Sequence, residues 1–192
     1  MNITIAIDSF KGSLSSMEAG QAVAEGIRRV MPSAGIRIRP LADGGEGTTE
    51  ALTAGLGGEL KSLTVTGPLG RPVTASYGLI RERKMAVLEM ASAAGLTLIS
   101  QEERNPLEAT TYGVGEMIRD AIEEGCRHFL VGIGGSATND GGTGMLSALG
   151  FQFLDSEGQP IPLGAKGLEN LARISTENAR PELSQCSFHI AC

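Results

Sequence analysis

The sequence predicts an α/β protein, and three observations carry that prediction. Ile3, Ile5 and Ile7, then Ile36 and Ile38, alternate as one face of a strand does, with a helical stretch between the two runs. Each run ends in a polar, glycine-bearing loop that carries an aspartate, Asp8 in the first and Asp43 in the second. A third apolar run (Phe129, Leu130, Val131, Ile133) opens onto a longer glycine-rich loop, the pattern of a strand covered on both sides that ends at a site. Strand, loop and helix repeated twice within sixty residues is the signature of a parallel sheet, whose ligands bind past the carboxyl ends of its strands.

Taken in order, the first strand covers 3–7 and leads into Asp8-Ser9-Phe10-Lys11-Gly12-Ser13. Ser15 and Glu18 have capping-box spacing, so a helix should start near Ser16. Ala19, Val23, Ile27 and Val30 lie on one side of it, and Pro32 prevents its continuation. The second strand, 36–41, turns Ile36 and Ile38 inward and Arg37 and Arg39 outward, and a short helix follows at 48–56. Beyond residue 60 the pattern changes. Leu63 and Val65, the turn Gly67-Pro68-Leu69-Gly70, and Val73–Ile80 read as a hairpin, followed by a polar turn at 81–84 and a strand at 85–90. Thr111 is placed to cap a helix over about 112–124, packed through Val114, Ile118 and Ile122 and ended by Gly125. After the glycine-rich loop come a helix at about 142–149, a strand at 151–154, a turn at 155–158, a poorly periodic stretch and an apolar strand at 188–191. The expected organisation is therefore an opening α/β part at 1–60 and a second, mixed α/β part at 61–192.

Composition narrows the function. Hydrophobic residues at 41% and charged residues at 20% are ordinary for a globular chain. The 27 glycines are about double the usual ~7% share and sit at strand ends, which favours ligand loops over linkers. A net charge of −6, no basic cluster and few aromatics argue against nucleic acid and anionic membranes as partners. No stretch is long enough to span a bilayer, and the immediate entry into a strand predicts no signal peptide, so a cytoplasmic protein is expected. Cys126, Cys186 and Cys192 lack metal-ligand spacing and read as reduced, packed thiols, and His128 and His189 read as structural.

The chemistry concentrates in three loops. In 132–144, glycines let the backbone approach a ligand, and Ser136, Thr138, Asn139 and Asp140 supply hydroxyl, amide and carboxylate groups for phosphate oxygens or a metal. A Walker loop is excluded, because G-x-x-x-x-G-K-[ST] occurs nowhere. Gly132-x-Gly134-x-x-Ala137 fits a dinucleotide fingerprint, with Asp155 after the next strand, although Asn139 to Gly142 would break the helix that fingerprint needs. Asp8 with Lys11 suits a carboxylate and a cation around an anion or phosphoryl group. Asp43 and Glu46, separated by Gly44 and Gly45, suit Mg²⁺ or a hydroxyl beside a proton acceptor. The plainer alternative for each is a turn with internal hydrogen bonds, and for Arg71 a solvated turn residue.

Together, Asp8-Ser9-Phe10-Lys11-Gly12-Ser13, Ala42-Asp43-Gly44-Gly45-Glu46-Gly47-Thr48, Thr66-Gly67-Pro68-Leu69-Gly70 and Gly132-Ile133-Gly134-Gly135-Ser136-Ala137-Thr138-Asn139-Asp140-Gly141-Gly142 resemble the bacterial class I glycerate kinases. Glu89-Met90-Ala91-Ser92-Ala93-Ala94-Gly95-Leu96 and Arg104-Asn105-Pro106-Leu107 resemble them too. Ile7 departs from the proline usual in that family. The resemblance implies two α/β domains, the first flavodoxin-like (a Rossmann-like parallel sheet) and the second inserted in it, with the site in the cleft between them. It implies ATP-dependent phosphorylation of D-glycerate with Mg²⁺, to 2-phosphoglycerate or 3-phosphoglycerate. By that resemblance Asp8, Lys11 and Asp43 are catalytic, and Ser9, Gly44, Gly45, Glu46 and Arg71 bind substrate. Gly134, Gly135, Ser136, Thr138 and Asn139 would hold the nucleotide phosphates, with Asp140 and Asp43 at the metal. Family members are considerably longer, so a truncated chain is expected. The alternatives are an NAD(P)-binding oxidoreductase, or a non-catalytic fragment that self-associates as a homodimer through open strand edges.

Overall fold

A computed structural model describes residues 1–10, 13–41 and 47–191. Strand β1 (Asn2–Ile7) runs parallel to β2 (Gly35–Pro40), with Ile3 opposite Ile36 and Ile5 opposite Ile38. Helix α1 (Ser16–Val30) makes the crossover between them. Its start is the predicted capping box: the Glu18 N–H donates to Ser15 Oγ, and the Ser15 N–H donates to Glu18 Oε2 at 2.8 Å. Both Ser15 donors, the backbone N–H first and the hydroxyl second, hold the Glu18 carboxyl below its usual range. The packed face differs from the expected one. Ser16, Ala19, Gly20 and Ala24 are buried, while Val23 and Val30 are exposed. Two strands are too narrow a platform to cover a whole apolar stripe, and they cover the side where Gly20 lets α1 approach Ile38 closely.

Helix α2 (Thr48–Leu56) joins this small sheet to a larger one, packing on β2 and on the next three strands. Those are β3 (Glu59–Thr66), β4 (Pro72–Ile80) and β5 (Met85–Glu89), antiparallel in sequence. The five-stranded sheet continues in parallel with β6 (His128–Gly132) and, at the edge, the last strand, Ser187–Ala191. Between β5 and β6 lie the short helix α3 (Ala91–Ala94), which the periodicity does not reveal, and α4 (Tyr112–Glu123). Helix α5 (Thr143–Ala148) packs against α4, and β7 (Gln152–Leu154) pairs antiparallel with β8 (Arg173–Ser175) in a separate two-stranded sheet. The last strand is β9, and the large sheet has β3 at one edge and β9 at the other.

The core lies under α4, where Tyr77, Leu88, Val114, Met117, Ile118 and Phe129 are closed off from solvent. Each large apolar side chain buried this way contributes roughly 1.5–3 kcal/mol, enough to hold β5 and β6 as a fixed base for the loops beyond them. Lys61 spans Asp120 at 2.7 Å and Glu124 at 2.8 Å beside the Tyr77 hydroxyl, which donates to Asp120 at 2.6 Å. The edge is less complete: Phe188 stacks on Phe129 with centroids 4.8 Å apart, yet Phe188 and Ile190 remain exposed. Among the described residues, no helix is long and apolar enough to cross a membrane. The histidine beside this edge, His128, meets the Ser187 hydroxyl at 2.8 Å, in keeping with a structural role.

Candidate active site

The carboxyl ends of β1 and β5 meet around a cavity of about 490 Å³. Ser9, Phe10 and Ser13 form one wall, from the loop after β1. Gly47, Glu50 and Ala51 in the first turn of α2 form another, and Glu89 at the last position of β5 closes it. Asp8 stands at the head of the first wall, with Oδ1 accepting the Ser9 N–H at 2.7 Å, an arrangement that fixes the carboxylate on its own loop. Helix α2 has Gly47 at its N-cap, in the left-handed region at φ 88° and without a side chain to cap it. Glu89 supplies the cap from the other sheet, its Oε1 accepting the Thr48 N–H at 2.6 Å.

The glycine-rich loop begins beside Glu89, since Gly132 is the β6 residue opposite it. Segment 90–96 then holds the loop by its backbone. The Met90 N–H donates to Gly132 O, the Leu96 N–H to Gly135 O, and the Ala137 N–H to Ala94 O, all at 2.8–2.9 Å. Gly135 takes φ 71°, which an L side chain rarely adopts, and this turns the chain back toward Ala91. Ser136 Oγ accepts the Thr138 N–H at 3.2 Å and lies 2.8 Å from the Thr138 hydroxyl. Part of the polar content of the loop therefore shapes the loop itself.

Asp140, expected at the metal, stands at the far end of the loop. Its side chain is 1% exposed and surrounded by donors. The Thr111 N–H donates to Oδ2 at 2.8 Å and the Thr111 hydroxyl at 2.9 Å, with Gly144 N–H at 3.2 Å and Gly142 N–H to Oδ1 at 3.1 Å. A β-carbon at Gly144 would overlap Thr110 Oγ1 and sit 2.8 Å from Asp140 Oδ2, so this approach needs glycine. Thr111 holds the N-cap position of α4 as expected, but caps nothing in its own helix; its hydroxyl serves Asp140 and accepts the Met145 N–H at 2.9 Å. With both oxygens engaged, Asp140 locks the end of the loop to the starts of α4 and α5. Among the described residues no cluster of three His, Cys, Asp or Glu could hold a metal ion.

The glycerate kinase family model matches residues 3–192. The chain belongs to the glycerate kinase family. It is 48% identical over 190 residues to a glycerate kinase of Halalkalibacterium halodurans, covering 99% of this chain and 50% of that protein. It is 46% identical to the glycerate 2-kinase of Escherichia coli K12, covering all of this chain and 50% of the relative. The crystal structure of a Salmonella typhimurium LT2 protein assigned to glycerate kinase 2 superposes with a TM-score of 0.95 at 46% identity, over all of this chain and 51% of that one. The chain thus spans about half the length of the relatives it matches.

The structure brings Ser9 to the cavity, with Asp8 preceding it on the same loop, and sets Gly134, Gly135, Ser136, Thr138 and Asn139 on the loop beyond the neighbouring strand end. Lys11, Asp43, Gly44, Gly45 and Glu46 lie outside the described residues. Arg71 is not on the cavity wall; it sits past the β3–β4 turn and pairs with Glu103 at 2.7 Å, both exposed. The Ser100 N–H first, and Arg71 second, hold the Glu103 carboxyl below its usual range. The dinucleotide reading fails on topology. Helix α5 starts only at Thr143, well past the fingerprint, and β7 lies outside the five-stranded sheet. Asp155 closes its own turn, accepting the Glu157 and Gln159 N–H groups at 2.9 and 2.8 Å. Glu89, on the cavity wall, belongs to a strand, and motifs read from loops do not select it.

Proposed function

We propose that this chain carries the loops of an ATP-dependent glycerate kinase that place MgATP against a hydroxyl of D-glycerate. The observation that supports it most is the family match from residue 3 to 192, on a fold whose strand ends converge on one cavity. In this reading the cavity takes the acceptor, with Ser9 as a hydroxyl partner and Asp8 or Asp43 as the proton acceptor. Lys11 would face the acceptor carboxylate or the transferring phosphoryl group. The backbone of Gly134, Gly135, Ser136 and Asn139 would meet the nucleotide phosphates, and Thr138 would offer its hydroxyl. Mg²⁺ would enter with the nucleotide, with Asp43 and Asp140 as the carboxylates nearest to it in this reading. The two units expected at 1–60 and 61–192, the first flavodoxin-like, would close on these ligands from either side. The reading places the enzyme in the cytoplasm.

A coupled ADP-release assay of this chain with D-glycerate and MgATP tests the proposal, and ³¹P NMR of the product separates 2-phosphoglycerate from 3-phosphoglycerate. Glycerate-dependent ADP release, abolished in Asp43→Asn, is the expected result. Absence of any glycerate-dependent turnover removes catalysis from this chain. A second reading, a fragment that pairs with itself, is favoured by one observation: the open edge of β9 presents Phe188 and Ile190 to solvent.

A further inference from the structure

Glu89 links the five-stranded sheet, the start of α2 and the glycine-rich loop. It ends an otherwise apolar strand, Met85-Ala86-Val87-Leu88, whose middle three residues are buried. Its carboxylate reaches the start of α2 and takes the Thr48 N–H at 2.6 Å, at a helix end where Gly47 offers no side chain as a cap. Its backbone stands opposite Gly132, and the segment after it holds Gly132, Gly135 and Ala137 by hydrogen bonds. That segment is itself pinned to β4, where the Ser92 hydroxyl accepts the Ser76 N–H at 2.9 Å. Gly47, Glu50 and Ala51, the first turn that Glu89 caps, are also cavity wall. A carboxylate accepting a backbone N–H is a charge-assisted bond, stronger than a neutral one and directional.

We propose that Glu89 is a positioning residue of the acceptor pocket, holding the first turn of α2 at a set distance from the glycine-rich loop. The proposal rests on the kinase reading above, because it assigns the cavity to the acceptor and the loop to the nucleotide. It acts through an accepted hydrogen bond, so an uncharged acceptor of the same shape should substitute for it. A group acting on the ligand by its charge would not be replaced in that way.

The test compares the wild-type chain with Glu89→Ala and Glu89→Gln by amide hydrogen exchange at Thr48 and by calorimetric titration with D-glycerate and with MgATP. For Glu89→Ala the expected result is Thr48 exchange faster by about tenfold or more and D-glycerate binding weaker by about tenfold, with MgATP binding within about twofold. Glu89→Gln should stay within about threefold of wild type in both glycerate binding and exchange. Faster exchange with unchanged glycerate affinity reduces Glu89 to a helix cap and overturns the proposal. So does a folded Glu89→Gln that loses glycerate as Glu89→Ala does, and this arm decides the matter if the alanine variant fails to fold. A wild-type chain that binds neither ligand sinks the kinase reading together with this proposal, whereas normal binding by both variants sinks the proposal alone.

Discussion

Replacing Asp140 by alanine should destabilise the whole chain, and the size of the effect follows from its surroundings. The carboxylate is 1% exposed and accepts from Thr111 N–H, the Thr111 hydroxyl, Gly142 N–H and Gly144 N–H, all within 3.2 Å. Hydrogen bonds to a charged group contribute about 1.5–3 kcal/mol each, and they are not additive when one group serves all of them. Removing a buried charged partner from such a cluster typically costs about 3–5 kcal/mol, because the donors left behind stay buried and unsatisfied. For a chain of this size each kcal/mol lowers Tm by roughly 2–4 °C, so the alanine variant should melt roughly 6–20 °C below wild type. Asp140→Asn keeps one acceptor oxygen but turns an NH₂ toward N–H donors, and should fall between the two. Calorimetry or urea unfolding reads the difference, and the Asp140→Ala, Thr111→Val double-mutant cycle should return a coupling of about 1–2 kcal/mol. An alanine variant that melts within about 2 °C of wild type would falsify the lock.

Burial, with Glu124 nearby as the smaller cause, pushes the Cys126 thiol from its ordinary 9.0 up to about 11. Between those values the folded chain holds a proton that the unfolded chain has released, so stability is full below pH 9 and falls as pH rises toward 11. Urea midpoints measured across that window should decline, and Cys126→Ala should flatten the decline; an equal slope in the variant removes Cys126 as the cause. The Tyr77 hydroxyl is also raised, by burial first and by its bond to Asp120 second, so Tyr77→Phe should cost about 1 kcal/mol in urea unfolding through that lost bond. A cost near zero would show the hydroxyl equally well served by water. Pairing of two copies through the open β9 edge, the second reading above, predicts that Ile190→Lys lowers the dimer fraction in sedimentation velocity, since an edge lysine discourages pairing. A wild-type chain that sediments as a monomer at all concentrations rejects that interface.

The parts of this fold legible in the sequence are those whose signals span a few residues. The capping box at Ser15 and Glu18 specifies the start of α1 because each group bonds within three positions, and no distant partner can change that. The turn at 67–70 and the strand alternation on either side are equally local. Periodicity was less reliable for burial: the stripe Ala19, Val23, Ile27, Val30 marks an apolar side of α1, but how much of it is covered depends on the width of the sheet beneath. β8, with three residues, is too short to show a period at all.

The carboxylates show where such reading stops and where it can be extended. Asp140 sits among glycines and hydroxyls, the composition of a ligand loop, and only the fold brings Thr110 and Thr111 around it. Composition could not tell a carboxylate that binds a ligand from one that binds the loop. Glu89 had the opposite fortune, lying in an apolar run that reads as core. Yet an acid that ends a strand with a buried middle needs a partner, and the carboxyl end of a parallel strand is where α/β proteins place ligands. By that rule Glu89 is the counterpart of Asp8: each is the first acid past the apolar part of its strand, and the structure brings both strand ends to one cavity. Reading strand ends for their first acid, beside loops for their composition, selects Glu89 as well as Asp140.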